Sequence, residues 1–209
     1  MKVFVCGSEG RMSSSIRALL DIHPELQLES TPENSQVVID FTAPQAFDTN
    51  LSLALQHGSA FLCGTTGLSQ RQHESLKEAA QKIAVLWASN TSLGANLLIE
   101  LTRIASKLLP RFPISIQDTH HRHKKDAPSG TALSLQTAAA RPCNISSSRE
   151  GEVVGVHEVI FQSAFERVSL KHEALDRKVF AEGALSAAAF LGGQKPGLYS
   201  IQDVLGFSP

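Results

Sequence analysis

Short apolar runs separated by amphipathic stretches set the pattern of the N-terminal part of the chain. Val3-Phe4-Val5-Cys6 ends at Gly7 and shows no polar alternation, which predicts a strand buried on both faces. Ser13 to Leu20 carries Ile16, Leu19 and Leu20 on one helical face and is closed by His23-Pro24. Leu26 to Glu29 and, more strongly, Val37 to Phe41 read as further strands. Pro44 opens a helix through Leu51, Leu53 and Leu55 that stops at Gly58. Ala60 to Cys63 is a strand, Ser69 caps a helix reaching about Lys82, and Ile83 to Trp87 is a strand again. This alternation predicts an α/β fold with a doubly wound parallel sheet.

The pattern changes after Asn90. Asn96 to Leu109 is a long amphipathic helix stopped by Pro110 and Pro113, Ile114 to Thr119 alternates as a strand, and Thr131 to Ala140 is helical. Arg141 to Arg149, with Pro142 and three serines, reads as a loop. Val153 to Ser163 and Phe165 to His172 follow as an antiparallel pair, and Val179 to Leu191 as an alanine-rich helix. A domain boundary is expected near Thr91, with α+β character beyond it.

Composition adds limits. The 209 residues are 42% hydrophobic and 19% charged, with a formal net charge of −1, so no global charge points to nucleic acid or to an anionic membrane. Cys6, Cys63 and Cys143 are odd in number and widely spaced, which favours reduced structural thiols. Neither a signal peptide nor a membrane-spanning run is expected, and the chain reads as cytoplasmic.

Candidate chemistry begins at Gly7-Ser8-Glu9-Gly10-Arg11-Met12-Ser13, between the first strand and the first helix. Glycines there let a pyrophosphate approach backbone N–H groups at a helix N-terminus. Glu9 and Ser13 stand where the dinucleotide fingerprint has glycine or another small residue. Gly64-Thr65-Thr66-Gly67 and Ala88-Ser89-Asn90 lie past the ends of later strands, where the ligand crevice of an open α/β sheet forms. Glu29 is placed either to bond a ribose hydroxyl or to be a solvated loop carboxylate.

The densest chemistry is His120 to Ala132, HHRHKKDAPSGTA. An extended chain through Lys124 would put His120, Arg122 and Lys124 on one face and His121 with His123 on the other. Histidine can give or take a proton near neutrality, and lysine can act as an acid where crowded cations lower its pKa. Pro128 fits the first turn of a helix, which would leave the N–H groups of Ser129, Gly130 and Thr131 as donors for a carboxylate. The competing reading is a basic surface strand with Asp126 and Ser129 as ordinary caps. The histidines lack the spacing of zinc hydrolases, so no metal is expected. His23, His57 and His73 read as surface groups and His157 as a structural histidine within a strand.

Together with Val38 to Thr42, Asn90, Val154 to His157, Phe180 to Ala184 and Gly197 to Tyr199, these motifs resemble the 4-hydroxy-tetrahydrodipicolinate (dihydrodipicolinate) reductase family over nearly the whole chain. The resemblance implies a Rossmann-type dinucleotide-binding domain over residues 1–91, completed by about 178–209, and an α+β domain over residues 92–177 that binds substrate and oligomerises. It implies reduction of a small dicarboxylate by NADH or NADPH in the diaminopimelate route to lysine, by a homotetramer. It implies that His120 is the proton donor and acceptor and Lys124 the proton donor. It also implies that His121, Gly130 and Thr131, with Ser129 beside them, hold the substrate's carboxylates. Gly7 to Met12, Gly64 to Thr66 and Ala88 to Thr91 would bind the cofactor. Thr91 stands where the family usually has phenylalanine, and the segment after Glu29 is short, which leaves NADH versus NADPH open. Rival readings are a nucleotide-binding homologue with lost or altered turnover and a metal-dependent hydrolase.

Overall fold

A computed structural model describes residues 1–7 and 9–207. The chain divides into two compact units, Met1–Ser92 with Phe180–Pro209, and Leu93–Val179.

The first unit is a six-stranded, all-parallel sheet. Its strands are β1 (Lys2–Val5), β2 (Gln27–Leu28), β3 (Val37–Asp40), β4 (Ala60–Cys63), β5 (Ala84–Trp87) and β10 (Gly197–Tyr199), in the order β10-β5-β4-β3-β1-β2. From β1 the chain goes to β2 on one side and then to β3 on the other. The topological switch therefore lies between β1 and β3, where ligand crevices form at the carboxyl ends of strands. Helices α1 (Arg11–Leu19), α2 (Pro44–His57) and α3 (Gln70–Ala79) make the crossovers. The connection from β2 to β3 has only a single 3-10 turn, Pro32–Asn34, which is why this side of the sheet is short.

Local chemistry sets the helix ends. Pro44 sits at the start of α2 and Gly58 ends it with φ 66°, a left-handed cap that glycine adopts without Cβ strain. Ser69 and Gln72 form a reciprocal capping box on α3. The core between strands and helices includes Val38, Phe47, Leu51, Phe61 and Val85, with Phe47 and Phe61 edge-on at 6.1 Å. Each of these fully buried phenylalanines contributes roughly 1.5–3 kcal/mol by burial. Cys6 and Cys63 are free and buried, and Cys143 is free and half-buried. Burial pushes the Cys6 and Cys63 thiols up to about 12.

The second unit is a four-stranded mixed sheet of β6 (Ile114–His120), β7 (Asn144–Arg149), β8 (Gly155–Gln162) and β9 (Arg167–Ala174), in the order β7-β6-β8-β9. Helices α4 (Leu93–Leu108) and α5 (Gly130–Ala139) pack on one face around Leu98, Ile114, Ile116, Leu135, Val159 and Phe161. The expected antiparallel pair is β8 with β9. Residues 144–149, read from sequence as loop, instead form β7, parallel to β6. The edge position explains the mismatch: β7 has no fully buried residue, so it needs no apolar alternation and is held by its pairing with β6.

The remaining helices are α6 (Lys178–Leu191), which spans the end of the second unit and the return to the first, and the short α7 (Ile201–Val204). Ala181, Gly183, Ala184, Ala187 and Ala188 of α6 are buried. A Cβ on Gly183 would lie 1.8 Å from the Thr91 carbonyl oxygen, so only glycine lets this helix reach the turn after β5.

Candidate active site

In the first unit, the candidate cofactor residues sit at the carboxyl ends of β1, β4 and β5, neighbours or near neighbours in the sheet. Gly7 has φ 75° and Gly10 caps α1. Among the described residues no side chain closes that helix start, and its first turn has no acidic residue, which suits an anionic pyrophosphate. Ser13, the departure at the late small position, turns its hydroxyl back onto the Cys6 carbonyl at 2.9 Å. Glu9 and Arg11 are exposed and Met12 is half-buried, while Ser8 lies outside the described residues.

Two supports of this turn were not read from sequence. Arg17 donates to the Val5 carbonyl at 3.0 Å from the following helix. Buried Asp40 accepts from Thr42 N–H at 2.9 Å and Thr42 Oγ1 at 2.6 Å. That pairing places the Thr42 methyl 3.1 Å from where a Cβ on Gly7 would stand.

The second and third turns are built as firmly. A Cβ on Gly64 would lie 1.9 Å from the Phe41 ring, so glycine is a packing requirement there. Thr65 is buried and its carbonyl accepts from Trp87 Nε1 at 3.2 Å, while Thr66 is exposed. Ala88 is buried and Ser89 exposed, and Asn90 Oδ1 accepts from Ser92 N–H at 2.9 Å. Thr91 is buried with its hydroxyl donating to the Phe180 carbonyl at 2.6 Å. Glu29 follows β2 directly, in the connection after the strand, and pairs with Lys2 at 2.8 Å.

In the second unit, alternation along β6 sends Ile114, Ile116, Asp118 and His120 to the same buried face. Register then assembles a polar row across the sheet. Asp118 is opposite Ser147 on β7 and His157 on β8, and His157 is opposite His172 on β9. Asp118 is fully buried, and its Oδ2 accepts from Ser129 N–H at 2.9 Å, Ser147 Oγ at 3.0 Å and Arg149 Nη2 at 3.1 Å. Burial pushes its carboxyl up, but these donors prevail and hold it down at about 2. Burial lowers His120 against the opposing Asp118 charge. It drives His157, with help from His120, down to about 4.

The segment after β6 departs from the extended reading. The strand ends at His120, and Lys124 N–H donates to the His121 carbonyl at 3.1 Å, turning the chain. His120, Arg122 and Lys124 therefore do not share a strand face. Lys124 is paired with Asp126 at 3.0 Å and is not surrounded by cations alone. Arg122 pairs with Glu152 at 2.9 Å, and Arg149 donates to the Asp126 carbonyl. His121 accepts from Arg177 Nη2 at 3.1 Å, a contact that no local motif announces.

Pro128 likewise does not enter the helix: α5 starts at Gly130 with Ser129 as its cap. Ser129 Oγ accepts from Ala132 N–H at 3.2 Å and lies 3.2 Å from His157 Nε2. The Ser129 N–H, expected to be available to a ligand, is committed to Asp118, because the buried carboxylate requires it. Gly130 is exposed, with nothing within 4 Å of where a Cβ would stand, and Thr131 is half-buried.

Asp118, His120 and His157 present ligand atoms within 4.8 Å of one another, a grouping that differs from the consecutive histidines. Arg149 already supplies positive charge to that carboxylate, which opposes a divalent cation at the same point. The arrangement suits proton transfer beside the exposed start of α5.

Comparison with known proteins gives one answer. Residues 20–91 match the family described as dihydrodipicolinate reductase, N-terminus, and residues 94–205 match dihydrodipicolinate reductase, C-terminus. The 4-hydroxy-tetrahydrodipicolinate reductase of Stenotrophomonas maltophilia is 37% identical over 233 residues, covering 98% of each chain. That of Xanthomonas euvesicatoria is 47% identical over 173 residues, covering 81% of this chain and 72% of its own. Among solved structures, a dipicolinate-bound dihydrodipicolinate reductase from a Paenisporosarcina species shares the fold with a TM-score of 0.80 at 20% identity, covering 96% of this chain and 97% of its own.

Proposed function

The chain belongs to the dihydrodipicolinate reductase family, and we propose that His120 and Lys124 serve its reduction of 4-hydroxy-tetrahydrodipicolinate. It is an oxidoreductase of diaminopimelate and lysine biosynthesis that uses a nicotinamide cofactor. The observation that carries the residue assignment is the placement of His120 beside buried Asp118, on the strand that leads to the exposed Gly130 helix start.

When bound, the cofactor supplies hydride to the ring carbon that loses the hydroxyl. The protein's part is to hold the dicarboxylate and move protons. Gly130 and Thr131 at the start of α5 take one carboxylate, where the helix dipole favours negative charge. His121, backed by the Arg177 guanidinium, takes the other. Ser129 acts as the cap that fixes this helix start. Loss of the hydroxyl as water needs a base for a ring proton and an acid for the leaving oxygen. After hydride arrives, the adjacent carbon takes a proton back. Neutral His120 can accept and return a proton, and Lys124 carries one as an ammonium.

Gly7, Ser8, Glu9, Gly10, Arg11 and Met12 at the head of α1, with Gly64, Thr65, Thr66, Ala88, Ser89, Asn90 and Thr91, form the cofactor side. The Lys2–Glu29 pair sets a cation next to the acid that would repel a 2′-phosphate, so either NADH or NADPH is accepted. The protein acts in the cytoplasm as a homotetramer assembled through the second unit, whose β7 and β9 leave many side chains exposed. The test follows the loss of reduced-cofactor absorbance with enzymatically generated substrate, run with NADH and NADPH in parallel. Substrate-dependent oxidation is expected with both. No oxidation with either overturns the reading.

A further inference from the structure

The two oxygens of Asp118 face different parts of the site. Oδ2 is filled by Ser129, Ser147 and Arg149. Oδ1 looks the other way, 2.9 Å from His120 Nδ1 and 3.5 Å from His157 Nε2. The approach to Nδ1 is close but off the axis of a well-formed hydrogen bond, so the contact is chiefly electrostatic. The far side of the His120 ring faces Gly155, where a Cβ would lie 3.1 Å from Nε2.

We propose that Asp118 is a positioning residue for the reduction. One oxygen keeps the proton of neutral His120 on Nδ1 and leaves Nε2 as the nitrogen that exchanges protons with substrate. The other oxygen ties down Ser129 and with it the start of the carboxylate-holding helix. A single buried group thus sets the proton-transfer nitrogen relative to the anion site. Gly155 has the complementary task of leaving room at Nε2. The inference rests on His120 being the proton-transfer group.

Charge around the ring is consistent with this role. His120 is faced by Asp118 from its own strand, Lys124 from the following turn, Arg149 from β7 and His157 from β8. Asp118 is the acid in this set, and it favours the protonated ring while Lys124 and Arg149 oppose it. Which ring nitrogen holds the proton is set by the partner of the other nitrogen.

The test is Asp118→Asn in the full-length protein, alone and combined with His120→Ala. The single variant should lower kcat about 100-fold, the scale expected for a misplaced reacting group, with cofactor Kd unchanged. The acid limb of its pH profile, set by the His120 that must be neutral to accept a proton, should move to lower pH, because the charge that favours the protonated ring is gone. In the His120→Ala background, Asp118→Asn should cost nothing further in kcat. Wild-type kcat and pH profile in Asp118→Asn, with His120→Ala inactive, overturn the positioning role alone. Full activity in His120→Ala overturns both that role and the proton-transfer reading beneath it. Should Asp118→Asn fail to fold, ¹⁵N imidazole NMR of the wild-type protein decides: neutral His120 is expected as the Nδ1–H tautomer, and an Nε2–H tautomer contradicts the proposal.

Discussion

The backbone N–H of Ser129 donates to Asp118 Oδ2 at 2.9 Å, joining the helix start of α5 to the strand that carries His120. The bond closes the turn containing His121, Lys124 and Asp126, so residues that would otherwise be loose are held at both ends. Ser129→Ala keeps this backbone bond but loses the cap on Ala132 N–H and the contact with His157. It should destabilise the protein by about 1 kcal/mol, as loss of a serine cap does, measured by thermal or urea denaturation. Substrate KM should rise less than for changes at Gly130.

Gly130 offers the sharper probe of the anion site. Its surroundings leave space for a Cβ, and alanine at this first helical position is at least as good a helix former. Gly130→Ala should therefore leave thermal stability intact while substrate KM rises about tenfold, equivalent to about 1.4 kcal/mol. An unchanged KM would remove Gly130 from the carboxylate site.

Stability should fall in acid by a route that begins at His157. Burial and then His120 push its pKa from 6.5 to about 4, so the unfolded chain binds more protons between those values. Stability is thus fully present above about 6.5 and is lost as pH falls towards about 4, by on the order of 3 kcal/mol. Asp118, held from 3.8 down at about 2, extends the loss from about 4 to about 2. Urea denaturation across this range should show the first step weakened in His157→Gln. An unaltered first step would place its origin elsewhere.

Legibility in the sequence followed burial. Val37 to Asp40 is buried throughout, and its unbroken apolar run announces a central parallel strand. Pro44 and Gly58 mark the ends of α2 through backbone chemistry alone. The strand β7 has no such mark, because an edge strand with exposed serines makes its case only through pairing with β6. Alternation through Ile114 and Ile116 does point to Asp118 and His120 on the buried face, a signal available in sequence and overshadowed by the consecutive histidines. Alternation continued past His120 fails because the chain turns at His121–Lys124. Arg149 and Arg177 come from distant segments, so only the fold brings them to the site.

Lys124 is held at 3.0 Å by Asp126, which keeps its ammonium at the turn. Lys124→Ala should lower kcat by about 10²–10⁴-fold, the contribution typical of a positioned acid or base, with little change in cofactor Kd. Stopped-flow cofactor binding and steady-state turnover on the same preparation separate the two. Collapse of cofactor binding with turnover per bound cofactor preserved would remove Lys124 from the proton-transfer step.

The most direct measurement of the central claim is kcat of His120→Ala with saturating cofactor and substrate, on protein shown to bind cofactor normally. Proton transfer through His120 predicts a fall of about 10²–10⁴-fold. A kcat equal to wild type would contradict it.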